Sequence, residues 1–282
     1  MISTEDFRMQ RKIRSLDFDM FHPHAHEVYE LYYLISGHCK MFVGHNLHYV
    51  NAGDLLLLAP GMLHRSRYQD AEPAERITIN FSERVMQPFR QVCPPDYLEE
   101  LLAECKITVA LHNRVEVEGL LQKMEAEQAE GTSLSSFLAK NHLYELLAVL
   151  SHCRSDIQKE HIGATENLIQ QAAQDLYLHF DKPLTLTEMA KAAHMTAPYF
   201  SRKFKQVTGF GFKEYLIYVR MAQAEKLLAQ TSMTVTEIAL SCGFEDGNYF
   251  GDSFKKIKGI SPSVYRKRLL GIESSSNHNL NS

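Results

Sequence analysis

Thr187-Glu188-Met189-Ala190, then Met195, Tyr199-Phe200, Phe204-Lys205 and Gly209, is a pattern the chain writes twice. It returns as Thr236-Glu237-Ile238-Ala239, then Phe244, Tyr249-Phe250, Phe254-Lys255 and Gly259. The copies are offset by 49 residues before the turn and 50 after it, so the second turn holds one extra residue. Two copies mark a duplicated motif, not a solenoid. Each copy has the ingredients of a helix-turn-helix. Ala190 and Ala239 are small residues where two helices must approach. Gly243 accepts a turn conformation that other residues resist, a place the first copy gives to His194-Met195. The second helix of each unit is expected to start after Thr196, and after Asp246 or Asn248, all good N-cap types. It buries Phe200 and Phe204, or Phe250 and Phe254, at an i, i+4 interval. Ser201, Arg202, Lys203 and Lys205, or Gly251, Asp252, Lys255 and Lys256, are left outside. An apolar back with a polar, mostly basic front suits a DNA major groove.

Between the copies, Phe212 to Gln230 repeats Leu216, Arg220, Met221, Ala224, Leu227 and Leu228 at helical spacing. Nineteen residues of helix are about 28 Å long, close to the roughly 34 Å of one DNA turn. A rigid rod of that length places two reading helices in successive major grooves.

From Pro183 to Arg268 these residues resemble the AraC/XylS family of transcription regulators. The likeness runs through Pro183-Leu184-Thr185-Leu186, Tyr215-Leu216, Arg220-Met221-Ala222, Leu227-Leu228, Gly243-Phe244, Phe254-Lys255-Lys256, Gly259-Ile260-Ser261-Pro262 and Tyr265-Arg266. The resemblance implies seven helices, double-stranded promoter DNA as a partner, and recruitment or exclusion of RNA polymerase. Pro198, Ser201 and Arg202 are the expected groove contacts of the first unit, Asn248 and Asp252 those of the second. Lys203, Lys205, Lys255 and Lys256 are expected to hold phosphates. Asp252 departs from the many relatives that carry Arg there. An acid can accept from a cytosine amino group but repels phosphate, so the second unit is expected to read DNA weakly.

A net charge of −4 argues at first against a nucleic-acid partner. From Thr165 to Leu270, however, 14 Lys and Arg stand against 10 Asp and Glu, a net +4, and the rest of the chain carries 16 against 24, a net −8. A basic half beside an acidic half fits a DNA-binding module joined to a domain of another kind. The length suits two domains. No apolar run exceeds five residues, the length of Leu55 to Ala59, far short of a membrane span, and the N-terminus lacks the pattern of a signal peptide. Five scattered cysteines with no C-x-x-C pair indicate free thiols. A cytoplasmic protein is the expectation.

The first third has many short β candidates: Ser15 to Phe21, Val28 to Ile35, Lys40 to Val43, Leu47 to Val50, Leu55 to Ala59 and Arg76 to Phe81, with Gly- and Asn-rich turns between them. Such spacing suggests a barrel or jelly roll. Within it His24, His26, Glu30 and Gly37, then Gly53, Pro60-Gly61 and His64, resemble the two signature motifs of the cupin fold. Ala59 stands at a usual Pro position, and Tyr68 where Asn is frequent. Three His and a carboxylate form a ligand set for a divalent metal. A straight strand would carry Glu30 roughly 13 Å past His26, so a bend near Glu27-Val28 is required. The same side chains can instead line a pocket for a small-molecule effector, and Tyr32 shares the parity of Glu30. An aromatic face beside carboxylate and imidazole suits a sugar or another polyhydroxylated metabolite. No cofactor is required on this reading.

From Asp96 the pattern turns helical, with Arg114 to Gln128 and Leu134 to Cys153 as the long candidates and Ser133 as a cap. Leu134, Phe137, Leu138, Leu143, Leu146, Leu147 and Leu150 make a wide apolar stripe, expected to pair two chains into a homodimer. The expected plan is a cupin-type sensor over 1–95, a helical dimerisation region over 96–153, a linker over 154–165, tandem helix-turn-helix units over 166–270 and a disordered tail over 271–282. The rival is a metal-dependent cupin enzyme, or a metal sensor, carrying a DNA-binding appendage.

Overall fold

The computed structural model describes residues 6–14, 24–68, 73–94, 96–153 and 162–270. The expected strand over Ser15 to Phe21, residues 154–161 of the expected linker and the tail from 271 lie outside these. The chain forms two compact units that divide between Ile162 and Gly163.

The first unit contains β1 (Phe7–Arg14), β2 (Tyr29–Ser36), β3 (His38–Val43), β4 (Asn46–Asn51), β5 (Asp54–Leu58), β6 (His64–Arg67), β7 (Ala74–Phe81) and β8 (Lys106–Thr108). Its helices are α1 (Glu83–Val92), α2 (Asp96–Glu104), α3 (Leu111–Glu130) and α4 (Ser133–His152). The strands make two antiparallel sheets, ordered β1-β7-β2-β5-β8 and β4-β3-β6, the cupin-like arrangement the sequence suggested. Strand β2 shows why the larger sheet is a dividing wall. Tyr29, Leu31 and Tyr33 enter one core with the helices, while Tyr32 and Leu34 enter another with Met41, Val43 and Val50 of the smaller sheet. A strand buried on both faces carries large side chains at every position, as Tyr29 to Leu34 do.

Three elements differ from expectation. The polar start contains β1, an edge strand whose Met9 is buried. Its Arg11 is paired with Glu75 and Glu125, charges that blunt an exposed edge. Strand β6 is entirely polar, so no alternation announced it. Helix begins at Glu83, ahead of Asp96. The two long candidates form α3 and α4, but the cap of α4 is Thr132, bonded reciprocally with Ser135, and not Ser133. The apolar stripe of α4 splits: Leu143, Leu146, Leu147 and Leu150 belong to the core, whereas Leu134 and Phe137 are 66% and 57% exposed.

Among its described residues the second unit has the seven helices that the resemblance implied: α5 (Ala164–Leu178), α6 (Leu186–Ala192), α7 (Ala197–Thr208), α8 (Phe212–Gln230), α9 (Val235–Ser241), α10 (Gly247–Lys258) and α11 (Pro262–Leu269). The rod α8 serves both motifs. Phe212 and Tyr215 pack on Phe204, while Met221, Ala224 and Leu228 join Phe244, Phe250 and Phe254. All five cysteines are free, and no described helix is long and apolar enough to cross a membrane.

Candidate functional site

Each helix-turn-helix begins with a capping box that the opening motif only half displayed. Thr185 and Glu188 bond reciprocally at the start of α6, and Thr234 and Glu237 do so at α9. The S/T-x-x-E spacing was the available signal. Ala190 and Ala239 are fully buried between helices, and Met195 N and Phe244 N return to their carbonyls at 2.9 Å in both cases. The turn residues are His194 at φ 54° and Gly243 at φ 77°, both left-handed. The extra residue of the second copy is Glu245, between Phe244 and the cap Asp246, whose carboxylate accepts from Asn248 N at 2.8 Å.

Phe200 and Phe204, and Phe250 and Phe254, are completely buried. Their burial fixes what faces outward. Pro198, Arg202 and Lys205 are exposed at i, i+4 and i+7 of α7, and Asn248, Asp252 and Lys255 occupy the equivalent positions of α10 with Lys256 beside them. Ser201 is half-buried at the border of this face. Lys203 lies along the flank, its Nζ 3.0 Å from Gln206 Oε1 and 5.8 Å from the centre of the Tyr199 ring. The Arg202 guanidinium rests 5.5 Å from the same ring. Helix α7 contains no acid, whereas α10 contains Asp252 and follows Glu245 and Asp246. Of the lysines ending α10, Lys258 is engaged with Glu225 at 2.8 Å. The two outer faces therefore differ in electrostatic character.

One residue that pattern reading treated as a rod position is a clamp. Arg220 Nε donates to Phe180 O at 2.8 Å and Nη2 to Lys182 O at 3.0 Å, with the guanidinium carbon 5.5 Å from the centre of the Phe244 ring. It ties the approach to the first motif to the turn of the second. Gly243 sits under this clamp: a Cβ there would lie 2.7 Å from Asp181 O and 2.9 Å from Phe180 O.

In the first unit, the backbone bends at Glu27 and Val28, where the sequence required it. The bend folds His26 onto Glu30, with Nε2 3.0 Å from Oε2. His24 is not on a long strand. It forms a single antiparallel bridge with His64, through two backbone bonds of 3.0 and 3.1 Å. The donor atoms of His24, His26 and His64 lie within 4.8 Å of one another. Glu30 stands behind this group, holding His26 and accepting from Asn80 Nδ2 at 3.1 Å. Hydrogen bonding from His26 and the charge of the neighbouring imidazoles outweigh burial, which alone would raise its pKa, and hold the carboxylate down at about 2. His64 is fully buried, and burial pushes its pKa down to about 4. Its Nδ1 is 2.9 Å from Met62 O, and its Nε2 has no hydrogen-bond partner among the described residues.

These residues open into a cavity of about 280 Å³, whose wall also includes Arg14, Ser66, Arg76 and Thr78. Tyr32 does not line it. Its hydroxyl is 2.8 Å from that of Tyr68, deep in the apolar interior below. A donor-rich, half-enclosed cavity of this kind recognises a small polar molecule, and three convergent imidazoles fit a divalent cation by number and type.

An AraC-like ligand binding domain model matches residues 14–147, and a helix-turn-helix domain model matches residues 189–268. Together they span about three-quarters of the sequence. The chain belongs to the AraC family of transcription regulators. Like other AraC-family members, it joins an effector-responsive domain to a DNA-binding one. It is 22% identical to the HTH-type transcriptional activator RhaR of Mannheimia succiniciproducens over 88% of this chain and 87% of that protein. It is 25% identical to the lactose operon transcription activator of Staphylococcus xylosus, covering 80% and 78%. The DNA-binding domain of AdpA, solved with a target DNA, is 27% identical over 37% of this chain and 95% of that one, with a TM-score of 0.36. In this AraC-family chain the acid Asp252, on an otherwise basic second reading helix, is the principal departure from the pattern of the first.

Proposed function

We propose that this protein is a homodimeric cytoplasmic regulator that recruits or excludes RNA polymerase at promoters in response to a small carbon-source metabolite of the sugar class. The observation that carries the reading is the pairing, in one chain, of a polar sugar-sized cavity with a duplicated reading helix. The lactose operon activator among its relatives supports the effector class. Pro198, Ser201, Arg202, Asn248 and Asp252 meet base edges, and Lys203, Lys205, Lys255 and Lys256 meet phosphates. His24, His26, Glu30 and His64 hold the effector, and Tyr32 acts only from outside the cavity, through its ring beside Arg76. Effector binding changes promoter occupancy only through differential affinity for two domain arrangements. The exposed Leu134 and Phe137, one helical turn apart on α4, supply the dimer contact. Footprinting the full-length protein on its own upstream DNA, with and without a sugar panel, tests the regulator. A footprint that no metabolite alters points to an effector-free scaffold. Light scattering tests the dimer: Leu134→Glu with Phe137→Glu halves the mass, and a wild-type monomer contradicts it.

A second reading rests on the three convergent imidazoles and the unpartnered His64 Nε2. His24, His26 and His64 would hold a divalent ion, with Glu30 orienting His26, and the ion would bind a ligand oxygen or polarise a substrate. Metal content and turnover, measured with the quartet intact and in His64→Ala, separate a metal sensor or cupin enzyme from a metal-free regulator.

A further inference from the structure

The cavity of the first unit is chemically two-ended. Alternate residues of a strand stand about 6.8 Å apart on one face, so Arg76, Thr78 and Asn80 of β7 set guanidinium, hydroxyl and amide in a row along its wall. Across the sheet, Asn80 is opposite Glu30 and Arg76 is opposite Leu34. Glu30 and the imidazoles therefore close one end, and the Arg76 backbone stands roughly 13 Å further along the strand, its guanidinium lying beside the ring of Tyr32, the residue opposite Thr78. Arg76 is 93% buried, being 7% exposed. Its guanidinium carbon lies 5.4 Å from the centre of the Tyr32 ring, and its Nε has no hydrogen-bond partner among the described residues. Among the described residues no carboxylate pairs with it. Glu30 is the only carboxylate among the described lining residues, and it is engaged by His26 and Asn80. Arg14 brings a second guanidinium to the same wall, its pKa lowered by burial and then by the charge of Arg76.

A buried guanidinium that faces open space rather than an acid is completed by an anion, which it binds through paired N–H donors. The other end offers an anion no such donor, because Glu30 is itself an acid already engaged by His26 and Asn80. We propose that the effector is a small polyhydroxylated acid whose anionic group sits on Arg76 and whose hydroxyls meet Asn80, Glu30 and the histidines. This rests on the effector-pocket reading above and narrows it from sugars to sugar acids or sugar phosphates. The volume, about that of nine water molecules in the liquid, suits a single acidic sugar unit.

The test measures melting temperature and affinity of the full-length protein with D-glucuronate, D-galacturonate, D-gluconate and glucose 6-phosphate, beside neutral glucose and galactose. At least one acid raises the melting temperature while its neutral parent leaves it unchanged, and the carboxylate and phosphate arms identify the group. Arg76→Gln weakens that acid by about ten- to a hundredfold, the span of a lost charge-assisted hydrogen bond. Arg76→Lys, which keeps the charge without the planar fork, weakens it less and serves if the glutamine variant does not fold. A neutral sugar that stabilises wild type and Arg76→Gln alike overturns the anion and leaves the pocket standing. Silence from every acid also overturns it, and silence from all six compounds removes the support for a sugar-class pocket as well.

Discussion

Replacing Arg220 with alanine should loosen the second unit without touching either reading face. The substitution removes a part-buried charge-assisted bond to Phe180 O, a more exposed one to Lys182 O and the contact with the Phe244 ring. The first bond contributes about 1.5–3 kcal/mol, the second about 0.5 kcal/mol after solvent screening, and the cation–π contact about 0.5–1 kcal/mol. The expected loss is about 2.5–4.5 kcal/mol. Urea titration of the full chain, read by hydrogen-exchange protection of peptides within 163–270, measures it. A functional consequence follows from linking two heads through one clamp. Affinity for a duplex carrying both half-sites should fall at least about tenfold, while a single half-site loses less than about threefold, because effective concentration depends on fixed spacing. A stability change under about 0.5 kcal/mol, or equal losses on both duplexes, would refute the clamp.

The two turns should respond oppositely to substitution. Gly243→Ala costs at least about 2 kcal/mol by urea titration, from a left-handed backbone and contact with two carbonyls, whereas His194→Gly stabilises by up to about 1 kcal/mol; equal effects would contradict the turn assignment. Arg202→Ala should cost about 1–3 kcal/mol on the preferred duplex and less on unrelated ones, and Asp252→Asn should strengthen binding to any duplex by severalfold; gel-shift titrations decide both, and a uniform Arg202 loss makes it a phosphate contact. In the sensor unit, a folded pKa of about 4 for His64 against 6.5 in the open chain means that the neutral ring is favoured. Its contribution of about 3 kcal/mol is present above pH 6.5 and lost as pH falls through about 4, partly offset by His26, whose pKa is raised. His64→Asn should flatten the acid limb of melting temperature against pH, and superimposable limbs would refute this.

The helix-turn-helix units were legible because a duplicated motif constrains itself. Phe200 and Phe204 repeat as Phe250 and Phe254, and only burial on one face explains that spacing together with the basic residues between them. The bend before Glu30 was legible for a geometric reason, since the two motif parts could not meet on a straight strand. Other elements left no periodic trace. Strand β6 reads His64-Arg65-Ser66-Arg67, where the inward residues are polar because they line a cavity. Strand β1 hides Met9 among charges that protect an edge. The parity argument for Tyr32 was correct about direction, since it shares the inner face with Glu30, but not about depth: its hydroxyl reaches Tyr68 inside the apolar core and not the cavity. The stripe of α4 misled in part, because periodicity cannot distinguish a core residue such as Leu147 from an exposed one such as Leu134. Arg220 shows the complementary limit, since a charged residue at a helical position gives no sign of the distant carbonyls that it holds.

Selecting duplexes from a random library with the full-length protein, then footprinting the winners across a salt series, tests the two-headed account most directly. The account predicts two protected segments per chain about 10 base pairs apart, with affinity falling steeply and log-linearly with salt and the Arg202 half contributing more than the Asp252 half. A single protected segment, or binding indifferent to salt, would contradict it.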